Sequence, residues 1–189
     1  MNIKGAENIP YNRAFIICAN HSSFIDIPCL YVIFQNYFVF TGKKEIEKWP
    51  LFKIFYTSGM NILVDRNNSG KYSIAFKRMM EVLEENIPLV IFPEGTISPI
   101  SPSLCEFKTG AVSLAIHKKV PILPITFTTN WKRLQKGGFF KGKAGPGIAQ
   151  VIIHPLIDTK ELSKKDISLL NDRVKETIST PLYNLYTNT

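Results

Sequence analysis

The chain has 189 residues, enough for one domain with a sizeable core, and its 45% hydrophobic and 20% charged composition excludes a disordered polymer. A net charge of +8 favours partners that carry negative charge, such as nucleic acid, anionic lipid or a phosphorylated small molecule. Three cysteines, odd in number and without a CxxC pair, exclude a disulfide framework and point to a reducing compartment.

In chain order, the first apolar run, Ala14–Ala19, reads as a strand. The most apolar stretch, Ile27 to Phe40, is broken by Gln35 and Asn36 and falls short of the roughly 20 residues a spanning helix needs. No signal peptide precedes it, so membrane contact by this chain is expected to be peripheral. Tyr37–Phe40 reads as a second strand, Lys43–Tyr56 as a helix and Met60–Val64 as a strand. Gly70–Glu85 has helical period, Pro88–Phe92 is a short apolar strand, and Phe107–Lys118 is again helical. Pro121–Thr128 and Ile148–His154 complete the strands. The last segment is the clearest helix, with Ile167, Leu170, Val174 and Ile178 on one stripe and a capping box from Ser163 to Asp166 just ahead.

Alternating strands and helices predict an α/β fold, a mixed, mostly parallel sheet flanked by helices, with residues 1–189 as a single domain. One segment breaks the pattern. Trp131–Gly147 carries Lys132, Arg133, Lys136, Lys141 and Lys143 without an acid, together with Trp131, Phe139 and Phe140. Cations and aromatics of this kind suit an anionic membrane surface, and a solvated hairpin between two strands has the same composition. No aromatic RNP pattern, helix-turn-helix or zinc knuckle is present, so nucleic acid is not expected as a partner. His117 and His154 lack a second ligand at metal spacing, and no metal site is expected.

The chemistry concentrates after the first strand, in Asn20-His21-Ser22-Ser23-Phe24-Ile25-Asp26-Ile27-Pro28. A histidine at a strand end projects into the crevice at the carboxyl edge of a sheet. If the chain turns there, Asp26 can accept from one imidazole nitrogen and leave the other free to take a proton. The spacing Ser23-x-x-Asp26 equally fits a capping box, a purely structural role. Neither Ser22 nor Ser23 stands in a G-x-S-x-G elbow, which disfavours a serine nucleophile.

With three later segments, this stretch resembles the glycerophospholipid acyltransferase superfamily, most closely the 1-acylglycerol-3-phosphate acyltransferases. NHSSFIDIP is similar to that family's H-x4-D motif; Gly59 to Arg66 is similar to its glycine-to-arginine block. Phe92-Pro93-Glu94-Gly95-Thr96 is similar to its FPEGT block, and Val120 to Ile125 to its proline-containing strand. The four occur in the family's order. The resemblance implies a glycerol-3-phosphate acyltransferase-like fold and transfer of a fatty acyl group from an acyl-carrier-protein or coenzyme A thioester to a lysophospholipid hydroxyl. The acceptor would most closely be 1-acylglycerol-3-phosphate, giving phosphatidic acid for phospholipid biosynthesis. It implies His21 as general base with Asp26 as its partner, no acyl-enzyme, and no cofactor besides the thioester.

By the same resemblance Arg66 would hold the acceptor's phosphate, and Glu94, Gly95, Thr96 and Lys108 would line the substrate. Read as residues alone, Arg66 also fits a surface pair with Asp65, and Lys108 a solvated helix start. The working site would lie at the cytoplasmic face of a membrane. Two departures stand out. Where the family has FPEGTR this chain has Ile97, which leaves room for a different head group. Many members also carry hydrophobic helices ahead of the histidine block, and the 20 residues before His21 form none. Acyl transfer to another lysolipid and a non-catalytic lipid-binding domain are the alternatives.

Overall fold

Ile16-Ile17-Cys18-Ala19 offers no polar face to water, and it becomes the central strand of the sheet. The computed structural model describes residues 1–43, 61–64, 69–135 and 143–187. Among them the strands are β1 (Asn2–Lys4), β2 (Ile16–Ala19), β3 (Val39–Lys43), β4 (Asn61–Val64), β5 (Leu89–Ile91), β6 (Ile122–Phe127) and β7 (Gln150–Ile153). The α-helices are α1 (Asp26–Ile33), α2 (Ser69–Glu84), α3 (Gly110–Lys118), α4 (Asn130–Arg133) and α5 (Ile167–Thr187). The strands form one sheet in the order β1-β7-β6-β2-β5-β3-β4. Only β6 and β7 pair antiparallel, so the sheet is mixed and mostly parallel.

Alternation along β2 divides the interior into two cores. Ile16 and Cys18 face α2, α3 and α5, where they meet Met79, Val82, Leu114 and Val174. Phe15, Ile17 and Ala19 face the opposite layer with Leu30 and Ile33 of α1 and with Phe40 and Phe127. Complete burial of Ile16 and Ile17 is worth about 1.5–3 kcal/mol each. A one-residue slip would reverse both faces, so the residues leaving β2 are held in register. Burial also pushes the Cys18 thiol up to about 12, which makes it an inert packing group.

β6, β2 and β5 are neighbours and run parallel, so their carboxyl ends reach the same edge of the sheet. His21 follows β2, the Phe92–Thr96 block follows β5, and Asn130 follows β6. Open α/β sheets place ligand crevices at this edge.

Several element limits differ from expectation for local reasons. The second strand starts at Val39, where the first bond is made to the Pro88 carbonyl (3.0 Å), and Tyr37 is left exposed. The helix expected from Phe107 starts at Gly110, because the Lys108 N–H is drawn to the Pro93 carbonyl at 2.9 Å. β1, three residues with a polar outer pattern, gave no periodic signal. The Ser163–Asp166 capping box forms, on a short 3-10 turn that leads into α5. The α5 stripe buries Leu170, Val174 and Ile178. The helix expected at Lys43–Tyr56 lies outside the described residues apart from its first residue, as do Met60 and Arg66. No helix among the described residues is long and apolar enough to cross a membrane.

Candidate active site

The turn between β2 and α1 folds around one carboxylate. Asp26, with no exposed surface, accepts through Oδ2 from the backbone N–H of Ser22 (2.7 Å), the backbone N–H of Ser23 (2.8 Å) and Nδ1 of His21 (3.0 Å). Its Oδ1 accepts from Asn130 Nδ2 at 2.8 Å and, at a long 3.4 Å, from Ser22 Oγ. The capping box expected from Ser23 to Asp26 does not close: the N-cap of α1 is Ile25, without a side-chain cap bond, and the Asp26 N–H goes to the Ser23 carbonyl at 3.2 Å. Asp26 Oδ2 instead holds the turn through the Ser23 N–H, Ser23 Oγ accepts from the Ile25 N–H, and the same Oδ2 holds the imidazole.

Since a carboxylate can only accept, the tautomer that fits this pair has its proton on Nδ1 and leaves the Nε2 lone pair unused by Asp26. The imidazole lies flat on Phe92, with centroids 4.1 Å apart and planes at 17°, and its side chain remains 13% exposed. The ring is thus supported on one face, held at one nitrogen and partly exposed.

The segment after β5 grips the backbone of His21 from both sides. Glu94 Oε1 accepts its N–H at 2.8 Å, and the Ser98 N–H donates to its carbonyl at 2.7 Å. The other Glu94 oxygen accepts the Cys105 N–H at 2.8 Å. Glu94, only 4% exposed, is held above the usual carboxylate range by burial, against the opposing pull of the two backbone donors. The sequence assigned Glu94 to the substrate. Here both its oxygens accept backbone N–H groups, those of His21 and Cys105, so it braces the turn that carries His21.

The remaining predicted residues divide. Gly95 takes a left-handed φ of +69°, a conformation glycine adopts without a Cβ clash, and so permits the turn after Glu94. Thr96 is exposed at that turn, with Oγ1 3.5 Å from the Ile97 carbonyl. Lys108 has its side chain exposed and its backbone fastened beside Pro93, so it joins the same sheet edge. Arg66 lies outside the described residues. Ile97, where the motif has arginine, is an interior side chain at 8% exposure. Ser23 is buried and donates through Oγ to the Leu134 carbonyl at 2.6 Å, which leaves it no role as a nucleophile.

Two asparagines were not singled out beforehand. Asn20 accepts from the Phe127 N–H (2.7 Å) and donates to the Phe127 carbonyl (3.1 Å), locking the end of β2 to the end of β6. Asn130 reaches Asp26 across 104 residues of sequence. No motif spacing could reveal either contact. A shallow cavity of about 150 Å³ adjoins the turn, lined by Ser22, Ser98, Pro99, Ser101, Trp131 and Gln135. Among the described residues no cluster of histidine, cysteine and carboxylate side chains could hold a metal ion.

The acyltransferase family model matches residues 1–128. A 1-acyl-sn-glycerol-3-phosphate acyltransferase of Cocos nucifera is 34% identical over 129 residues, 68% of this chain and 41% of that protein. The 1-acyl-sn-glycerol-3-phosphate acyltransferase alpha of Mus musculus is 26% identical over 181 residues, 95% of this chain and 62% of the relative. The chain thus spans less than two thirds of the length of either relative. The crystal structure of the 1-acyl-sn-glycerophosphate (LPA) acyltransferase PlsC from Thermotoga maritima superposes with a TM-score of 0.79 at 28% identity, covering 97% of this chain and 71% of that one. The shared fold and the matched first two thirds of the sequence assign this chain to the acyltransferase family.

Proposed function

We propose that this chain transfers a fatty acyl group from an acyl-carrier-protein or coenzyme A thioester to the free hydroxyl of a lysophospholipid, with 1-acylglycerol-3-phosphate as acceptor and phosphatidic acid as product. The observation that carries this reading is the 3.0 Å contact between His21 Nδ1 and the buried Asp26 carboxylate. It leaves Nε2 as the acceptor for a hydroxyl proton. As that proton moves to Nε2, the hydroxyl oxygen attacks the thioester carbonyl carbon and a C–O bond forms. The tetrahedral intermediate then collapses, the C–S bond breaks, and the departing thiolate takes the proton from the imidazolium. No acyl-enzyme is formed, and no cofactor takes part besides the thioester. Base catalysis of this kind contributes about 10²–10⁴-fold, and positioning of the two substrates supplies much of the remainder.

Arg66 binds the acceptor's phosphate, with Lys108 adding charge and Thr96 a hydroxyl at the exposed turn. Glu94 and Gly95 shape that turn rather than touch substrate. The chain works peripherally at the cytoplasmic face of an anionic membrane, which Trp131–Gly147 contacts. Within the described part of that segment, Lys132 Nζ lies 5.4 Å from the Trp131 ring centroid and 4.8 Å from that of Tyr186. A second reading, acyl transfer to a lysolipid with another head group, is favoured by the apolar, interior Ile97 in place of an arginine.

The test is thiol release from acyl-carrier-protein and coenzyme A thioesters across a panel of lysolipids. Fastest turnover with 1-acylglycerol-3-phosphate supports the first reading; a preference for another head group supports the second. Absence of thiol release with every acceptor would leave a non-catalytic lipid-binding domain.

A further inference from the structure

We propose that Asn130 is a positioning residue for the base. It fixes Asp26 Oδ1 so that Oδ2 faces His21 Nδ1. The mechanism as proposed uses only His21 and Asp26, and the family match ends at residue 128, just short of Asn130. The inference rests on the acyl-transfer reading for its kinetic consequence, not for its geometry.

Asp26 Oδ1 has one short donor, Asn130 Nδ2 at 2.8 Å; the other, Ser22 Oγ, stands at 3.4 Å. Remove the amide and the carboxylate can rotate about its Cβ–Cγ bond toward whatever donors remain. Its orientation toward the imidazole then becomes one of several. The amide's own orientation is not arbitrary. A carboxylate offers only acceptors, so the NH2 group must face it, and Nδ2 also points to Cys29 Sγ at 3.7 Å. As a result Asn130 Oδ1 is buried with no partner among the described residues. An unpaired interior acceptor lowers stability, so this side chain is placed for its donor rather than for the fold.

The backbone beneath it is tied to the catalytic turn on both sides. Asn20 clamps Phe127 ahead of α4, and Ser23 Oγ donates to the Leu134 carbonyl behind it. The Asn130 carbonyl accepts the Leu134 N–H at 3.1 Å, closing the unit. The β6–α4 corner is therefore the rear wall of the dyad, and Asn130 is its one side chain that reaches the carboxylate.

The test compares Asn130→Ala and the isosteric Asn130→Asp with the parent protein in steady-state acyl transfer, and reads the His21 ring by 15N NMR, with His21→Ala supplying the resonance assignment. Kcat is expected to fall about tenfold or more, with KM for both substrates within twofold. The ring nitrogens of the parent should show the Nδ1–H tautomer, and those of the variants a shift toward a mixture. Kcat within twofold of the parent, together with an unchanged ring spectrum, would overturn the proposal. Loss of folding in both variants, seen by thermal unfolding, would assign Asn130 to the scaffold and overturn it equally. Should the parent show no acyl transfer, the ring spectra still decide the positioning role while the activity reading fails alone.

Discussion

Glu94 Oε1 accepts the backbone N–H of His21 at 2.8 Å, a contact across 73 residues that ties the end of β5 to the end of β2. The same carboxylate takes the Cys105 N–H through Oε2. Glu94→Ala would strand two interior N–H groups. At about 1–3 kcal/mol for each unsatisfied buried group, and with both donors only part-buried, denaturant unfolding should show a loss of about 2 kcal/mol, the lower end for two such groups. A loss under about 0.5 kcal/mol would remove the bracing role.

Burial raises the carboxyl of Glu94, so the folded protein takes up its proton at a higher pH than the unfolded chain does. The stability it contributes is complete below the unfolded carboxylate range and declines as pH rises through the folded value. Glu94→Gln does not titrate. The parent's stability relative to Glu94→Gln should therefore grow as pH falls from neutrality toward the ordinary glutamate range. A difference that shrinks on acidification would reverse the assigned direction.

Asp26→Asn replaces one acceptor oxygen by an NH2 group in a site where Ser22, Ser23, His21 and Asn130 all donate. Whichever way the amide turns, a donor meets a donor. Kcat should drop on the order of 10²-fold or more as the imidazole loses its tautomer, with KM little changed. An increase confined to KM would place Asp26 on substrate instead.

Arg66→Ala should raise KM for a phosphorylated acceptor by about tenfold or more with kcat nearly constant, because the proposed guanidinium–phosphate contact would be present in the bound state throughout. Identical kinetics for parent and variant would remove the phosphate assignment.

For Trp131–Gly147, proposed to meet the membrane, flotation with anionic liposomes at low and moderate salt separates charge from apolar contact. Each of its cations adds about 1 kcal/mol near such a surface, and that part weakens with salt. Replacing Trp131, Phe139 and Phe140 together by serine should weaken binding at both salt levels. Unchanged binding would exclude the segment as the docking site.

The parts of the site legible in the sequence were those made within a few residues of one another. His21 and Asp26 are five apart, and a turn suffices to join them; consecutive apolar residues announced β2 and β6 as buried strands. By contrast, the pairing of Asn130 with Asp26, of Asn20 with Phe127 and of Glu94 with His21 arises only when β6, β2 and β5 lie side by side. That order follows from packing, not from any spacing along the chain. The same cause hid the two bonds that Glu94 makes: a carboxylate in a motif gives no sign of which N–H groups the fold will bring to it.

The most direct measurement is thiol release by His21→Ala, with circular dichroism and thermal unfolding run on the same preparation. Loss of turnover by about 10²-fold or more, with folding intact, is the predicted result. Turnover within about threefold of the parent would contradict the assignment of His21 as the base.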